Sequence, residues 1–133
     1  MSPANVLIVE DEAIAAMATA AMLRKLGFTV CGKAASGEEA LLLLDDKCPD
    51  LVIMDIRLEG ELDGIETTRR LKMHRDVPVI YVTAYTDDST RSRAQETKPL
   101  AFINNPLDIS MLQKALAAFP NSAALPNSAE LPN

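Results

Sequence analysis

Five short apolar runs punctuate the chain, at about 5–9, 28–34, 50–55, 78–82 and 100–103, and they alternate with helical patterns. Runs such as Val6-Leu7-Ile8-Val9 and Leu51-Val52-Ile53-Met54 are apolar at consecutive positions rather than alternate ones. A strand of that composition is covered on both faces, as in a parallel sheet wrapped by helices. The intervening stretches predict helices over about 12–26, 37–46, 63–73, 87–96 and 108–118. Their ends are punctuated accordingly: Gly27 stops the first, Ser36 precedes Glu38 and Glu39, and Asp108 precedes a Leu112, Leu116, Phe119 stripe. Five strand–helix units predict a doubly wound α/β fold with a five-stranded parallel sheet.

From Pro120 onward the pattern changes to a six-residue near-repeat, Pro-Asn-Ser-Ala-Ala-Leu then Pro-Asn-Ser-Ala-Glu-Leu. A proline in every unit and too little apolar content for a core predict one folded unit over 1–119 and a flexible low-complexity tail over 120–133. With 133 residues and 48% hydrophobic content the chain can bury the core of a single domain. Its net charge of −6, with the 13 basic residues scattered, argues against direct contact with nucleic acid or an anionic membrane. No apolar run approaches the roughly 20 residues needed to span a bilayer. The start, Met1-Ser2-Pro3-Ala4-Asn5, lacks the basic residues of a signal peptide, so a cytoplasmic location is expected. Cys31 and Cys48 stand apart from any metal-binding spacing and read as small buried or half-buried apolar residues. The single histidine, His74, reads as a solvated helix end, which leaves zinc with too few ligands.

Chemistry enters where the runs end. The first leads into Glu10-Asp11-Glu12 and the third into Asp55. If both are parallel strands of one sheet, their carboxyl ends share a crevice, and Glu10, Asp11 and Asp55 converge there. Carboxylates crowded in that way repel unless a cation joins them, and a hard divalent ion with oxygen ligands, Mg2+ in particular, suits them. Carboxylates plus magnesium suggest phosphoryl transfer. The fourth run delivers Thr83 to its carboxyl end, where a hydroxyl can donate a hydrogen bond to a phosphoryl oxygen. The fifth leads into Asn104-Asn105-Pro106.

Together these strand ends, in this order and spacing, resemble the response-regulator receiver domain of two-component signalling over about residues 4–119. The resemblance implies a flavodoxin-like (βα)5 fold with strand order 2-1-3-4-5. It implies that Asp55 is the phosphoacceptor, receiving its group from a phosphohistidine on a histidine kinase or histidine phosphotransfer protein. Asp11 matches the direct magnesium ligand, Glu10 the ligand that acts through water, and Arg57 the residue whose backbone carbonyl completes the coordination with Asp55. Thr83 matches the hydroxyl that moves towards the phosphoryl group, and Phe102 the aromatic residue that shifts with it as a switch; for Phe102 plain core packing is the competing reading. The module so implied is not an enzyme in its own right. The resemblance implies a single-domain response regulator that signals to a downstream protein target.

Two departures from the family pattern stand out. The family places a lysine immediately before the proline after the fifth strand, and this chain has Asn105, a neutral and shorter hydrogen-bonding residue. Losing that charge predicts weaker coupling between phosphorylation and conformational change. It also opens the alternative of a degenerate receiver that binds partners independently of phosphorylation. The second departure is the stretch from Asp55 to Gly64, which lacks the usual proline, is one residue longer and carries Glu59 and Glu61; it reads as a solvated turn capped by Asp63, with altered access for the donor histidine or water as the alternative. A metal-dependent phosphatase on a similar sheet would need an acid two residues after the nucleophile, where Arg57 stands. The first predicted helix has a core face of Ala15, Ala18, Thr19, Met22, Leu23 and Leu26, yet Ile14, Met17, Ala20 and Ala21 make its other face apolar too. Such a face suits docking of the kinase, with a homodimer and the plain use of alanine as a helix former as competing readings.

Overall fold

The computed structural model describes residues 4–84 and 87–119, so the tail expected over 120–133 lies outside the described residues. The elements follow in strict alternation: β1 (Asn5–Val9), α1 (Ala13–Lys25), β2 (Thr29–Ala34), α2 (Gly37–Lys47), β3 (Leu51–Met54), α3 (Gly64–His74), β4 (Val79–Thr83), α4 (Asp88–Glu96), β5 (Ala101–Asn104) and α5 (Ile109–Leu116). All five strands are parallel, in the order β2-β1-β3-β4-β5 expected from the resemblance.

Alternation of side chains across each strand sorts the apolar residues into two cores. Val6 and Ile8 of β1, Ile53 of β3 and Val82 of β4 face α1 and α5, where they meet Ala16, Ala20, Leu23, Leu112 and Leu116. Leu7, Val9, Val52, Met54 and Tyr81 face the opposite way, against Ala40 and Leu44 of α2, Ile65 and Leu71 of α3, and Ala94 of α4. Consecutive apolar residues are needed because neither face meets water, and each fully buried Leu or Ile adds about 1.5–3 kcal/mol.

The helix starts are set by side-chain caps. Glu12, Ser36, Asp63, Asp87 and Asp108 each accept a hydrogen bond from a backbone N–H in the first turn of the helix that follows. Gly27, at φ 94°, ends α1 in the left-handed conformation that glycine adopts without steric cost. His74 is the exposed last residue of α3, as expected.

Three readings are corrected. The buried face of α1 is Ala16, Thr19, Ala20 and Leu23, so Ala20 belongs to the core and Ala18 is exposed. A helix with alanine on every side lacks the contrast that fixes its rotation. Cys48 is exposed rather than half-buried, because it forms the left-handed cap of α2 at φ 45°, with its Sγ donating to the Asp45 carbonyl at 3.2 Å. Asn104 is the last residue of β5, paired with Thr83, so that strand runs one residue beyond the apolar run.

Candidate functional site

The chain leaves β1 towards β2 on one side and later enters β3 on the other, so the sheet order reverses between β1 and β3. A crevice opens above their carboxyl ends, the usual ligand position in sheets of this kind. Register places the acids there: Val9 pairs with Met54, and the Asp55 N–H donates to the Val9 carbonyl at 3.0 Å. Carboxylate oxygens of Glu10, Asp11 and Asp55 lie within 4.8 Å of one another, and all three residues are half-buried. The Glu12 N–H donates to Glu10 Oε2 at 3.0 Å, and the Arg57 N–H donates to Asp55 Oδ1 at 3.3 Å.

Electrostatics follow from this crowding. Burial, helped by the neighbouring Asp55 and Asp11, raises the Glu10 carboxyl from 4.5 to about 7. Burial also raises Asp55, against the opposing pull of the Thr83 hydroxyl and the Arg57 N–H. The principal influences on both acids are burial, other acids and hydrogen-bond donors, with no basic side chain among them. Three oxygen donors whose charge is that poorly compensated fit a hard divalent cation.

The raised Glu10 value has a consequence for stability. The folded chain holds this proton more tightly than the unfolded one, so the contribution is complete below about 4.5 and is lost as pH rises through about 7. Asp55 adds a loss of the same sign. Without divalent metal, the thermal midpoint is therefore expected to fall between about pH 5 and about pH 7.5, and to fall less steeply in Glu10→Gln. Differential scanning fluorimetry across pH, with and without magnesium, measures both slopes; equal slopes for wild type and variant would contradict the assignment.

The remaining residues differ in how close they lie to these acids. Thr83, at the end of β4, is buried and close enough for its hydroxyl to lower the Asp55 pKa. Its carbonyl accepts from the Asn105 N–H at 2.7 Å, which brings Asn105 to the same cleft, about 440 Å³ in volume, that Glu10 and Asp55 line. Ala15, Ala18, Met22 and Leu107 form the apolar wall of that cleft. Phe102 stands apart from this group: it is half-buried beside Tyr81, its partner across the β4–β5 ladder, with ring centroids 6.0 Å apart. The long turn after Asp55 is pinned to α2, through an isolated bridge between Ser36 and Glu59 and a bond from the Glu61 N–H to Glu38 Oε2 at 3.1 Å. Asp63 caps α3 as expected and also pairs with Arg93 of α4 at 3.2 Å.

Sequence reasoning overlooked Gly64. Its N–H donates to the Ile56 carbonyl at 2.7 Å, and a Cβ there would overlap the Asp55 carbonyl oxygen. The start of α3 thus presses on the backbone of Asp55, and only glycine permits it. The available signal was the Asp63-Gly64 pair at the head of a helical pattern. Gly64→Ala is expected to lower stability by about 1–3 kcal/mol, as overpacking does, and to displace Asp55. Urea unfolding measures the first effect and magnesium titration the second; an unchanged midpoint would show that α3 can back away without cost.

A family model described as the response regulator receiver domain matches residues 6–117. Among curated proteins the chain is similar to the transcriptional regulatory protein PdtaR of Mycobacterium tuberculosis, 37% identical over 114 residues that cover 86% of this chain and 55% of that protein. It is also similar to the positive alginate biosynthesis regulatory protein of Pseudomonas aeruginosa, 39% identical over 123 residues covering 88% and 48%. The chain spans about half the length of these curated relatives. Among solved structures, the signal receiver domain of a modulated diguanylate cyclase from Desulfovibrio desulfuricans superposes with a TM-score of 0.84 at 34% identity, covering 91% of this chain and 96% of that one.

Proposed function

The chain belongs to the response regulator receiver family of two-component signalling, and from that membership we propose that Asp55 is a phosphoacceptor served by a histidine kinase or histidine phosphotransfer protein. The observation that carries this reading is the convergence of Glu10, Asp11 and Asp55 at the reversal point of the sheet. An Asp55 carboxylate oxygen attacks phosphorus of the phosphohistidine. A new O–P bond forms as the P–N bond breaks, and the electron pair returns to the imidazole nitrogen, which takes up a proton.

Glu10, Asp11, Asp55 and the Arg57 carbonyl are the groups that would hold magnesium, which when bound neutralises carboxylate and phosphoryl charge together. The chain's own residues do the positioning. The Arg57 N–H fixes one Asp55 oxygen, leaving the other for attack. The Thr83 hydroxyl, already near Asp55, donates to a phosphoryl oxygen, and Asn105 offers a neutral donor at the rim. Movement of Thr83, with Phe102, alters the surface around α4 and β5 that a downstream protein reads.

On the donor side, Ile14 and Met17 of α1 are 74% and 62% exposed, and the same helix walls the cleft above Asp55. An exposed apolar face beside the nucleophile suits the helices that bear a phosphodonor histidine. Self-association through this face is its competing use. No helix among the described residues is long and apolar enough to cross a membrane, and the scattered charge favours protein partners over nucleic acid.

Incubation with acetyl phosphate and magnesium tests the reading. A single hydroxylamine-labile phosphoryl adduct, absent when EDTA removes the metal, is the expected result. Asn105 gives the degenerate-receiver reading its one specific support, and that reading expects no adduct and no change in partner affinity.

A further inference from the structure

Helix α4, Asp-Ser-Thr-Arg-Ser-Arg-Ala-Gln-Glu, is polar at all positions but one, and Ala94 is its only buried residue. A helix with so little apolar surface cannot be held on a sheet by a packed stripe, so discrete contacts must do it. Near its N-terminal end, the Arg91 guanidinium carbon lies 4.5 Å from the centroid of the Phe102 ring on β5. Phe102 packs in turn against Tyr81 of β4. The Tyr81 hydroxyl shares a 2.8 Å hydrogen bond with Thr97 Oγ1, and Thr97 is the C-terminal cap of α4. Thr97 Oγ1 also donates to the Ala94 carbonyl at 2.6 Å. Arg91, Phe102, Tyr81 and Thr97 thereby close a circuit that leaves α4, crosses two strands and returns to the same helix.

The two closures of that circuit differ in kind. Tyr81 is fully buried and Thr97 nearly so, so breaking their bond would take from the Tyr81 hydroxyl its hydrogen-bond partner in the interior, while Thr97 Oγ1 keeps its bond to the Ala94 carbonyl. Arg91 is exposed and Phe102 half-buried, so their cation–π contact can open into water at small cost. We propose that Arg91 is a latch: its guanidinium on the Phe102 ring holds the outer end of α4 down in the unphosphorylated protein, and the conformational change that follows phosphorylation opens that contact while Tyr81–Thr97 acts as the hinge. The second half rests on the phosphoacceptor reading; the first half stands without it.

Linkage sets the sign. A contact made only in the unphosphorylated state opposes the change, so removing it favours the phosphoryl-bound state. For Arg91→Ala, amide exchange in the first turns of α4 should accelerate in the unmodified protein. Apparent affinity for beryllofluoride with magnesium, a phosphoryl mimic, should tighten roughly two- to five-fold, the scale of one partly exposed cation–π contact. Arg91→Lys should fall between the two, and Arg91→Ala should add nothing in a Phe102→Leu background.

Exchange and affinity both equal to wild type in Arg91→Ala would overturn the latch, as would an Arg91→Ala effect that persists in full after the ring is removed. If wild type binds no beryllofluoride with magnesium, the phosphoacceptor reading is what fails, and the exchange measurement still decides whether Arg91 holds α4.

Discussion

Asp55→Asn is expected to abolish the phosphoryl adduct while leaving the fold intact. The amide matches the carboxylate in shape, and its oxygen can still accept from the Arg57 N–H, now held at 3.3 Å from Oδ1. What it lacks is an anionic oxygen able to attack phosphorus at the end of β3, where Asp55 is fixed by its bond to Val9 and by the close approach of Gly64. A gain of stability should accompany the loss of function. Burial raises the Asp55 pKa, so its ionised form weighs against folding at neutral pH, and the variant removes that weight. It also takes one of three carboxylates from the cluster, which should lower the Glu10 pKa from about 7 and weaken magnesium binding. Intact-mass measurement after acetyl phosphate treatment reads the first effect, and the metal-free thermal midpoint near pH 7.5 reads the second. A stoichiometric adduct on Asp55→Asn would place the acceptor elsewhere.

That the acids could be found without coordinates follows from how a parallel sheet works. Strands buried on both faces announce themselves as unbroken apolar runs, and the first polar residue after each run must lie at the carboxyl edge. Glu10, Asp11, Asp55 and Thr83 are therefore located by the lengths of Val6–Val9, Leu51–Met54 and Val79–Val82 alone. Helix starts were equally legible, because Ser36, Asp63 and Asp108 are residues that cap by local chemistry. What escaped were particular contacts between distant segments, beyond the convergence of the strand ends. Arg91 on Phe102, Tyr81 on Thr97 and Gly64 against Asp55 leave no periodic mark, since each partner looks ordinary in its own neighbourhood. The rotation of α1 escaped for the opposite reason: Ala16, Ala18 and Ala20 are chemically alike, and only the sheet beneath them decides which are buried.

Position 105 offers the sharpest test of the site's electrostatics. Asn105 is fixed by its N–H bond to the Thr83 carbonyl, and it lines the cleft shared by Glu10 and Asp55. A lysine ammonium introduced there would face two acids whose principal influences include no basic side chain. At about 4 Å such a charge pair is worth roughly 1–4 kcal/mol between the dielectric limits of water and a protein surface, and the exposure of Asn105 favours the lower part of that range. In Asn105→Lys the Glu10 carboxyl should consequently titrate well below about 7, and the metal-free protein should lose less stability as pH rises towards neutrality. With a phosphoryl group on Asp55 the ammonium gains a second anionic partner, so the modified state is stabilised relative to the unmodified one. Apparent affinity for beryllofluoride with magnesium should tighten by about tenfold, and the lifetime of the acetyl phosphate adduct should change with it. Carboxyl carbon NMR resolves the Glu10 titration independently of any phosphoryl chemistry. If that titration, the mimic affinity and the adduct lifetime all match wild type, a cation at position 105 does not reach the acids, and the neutrality of Asn105 is not what distinguishes this site.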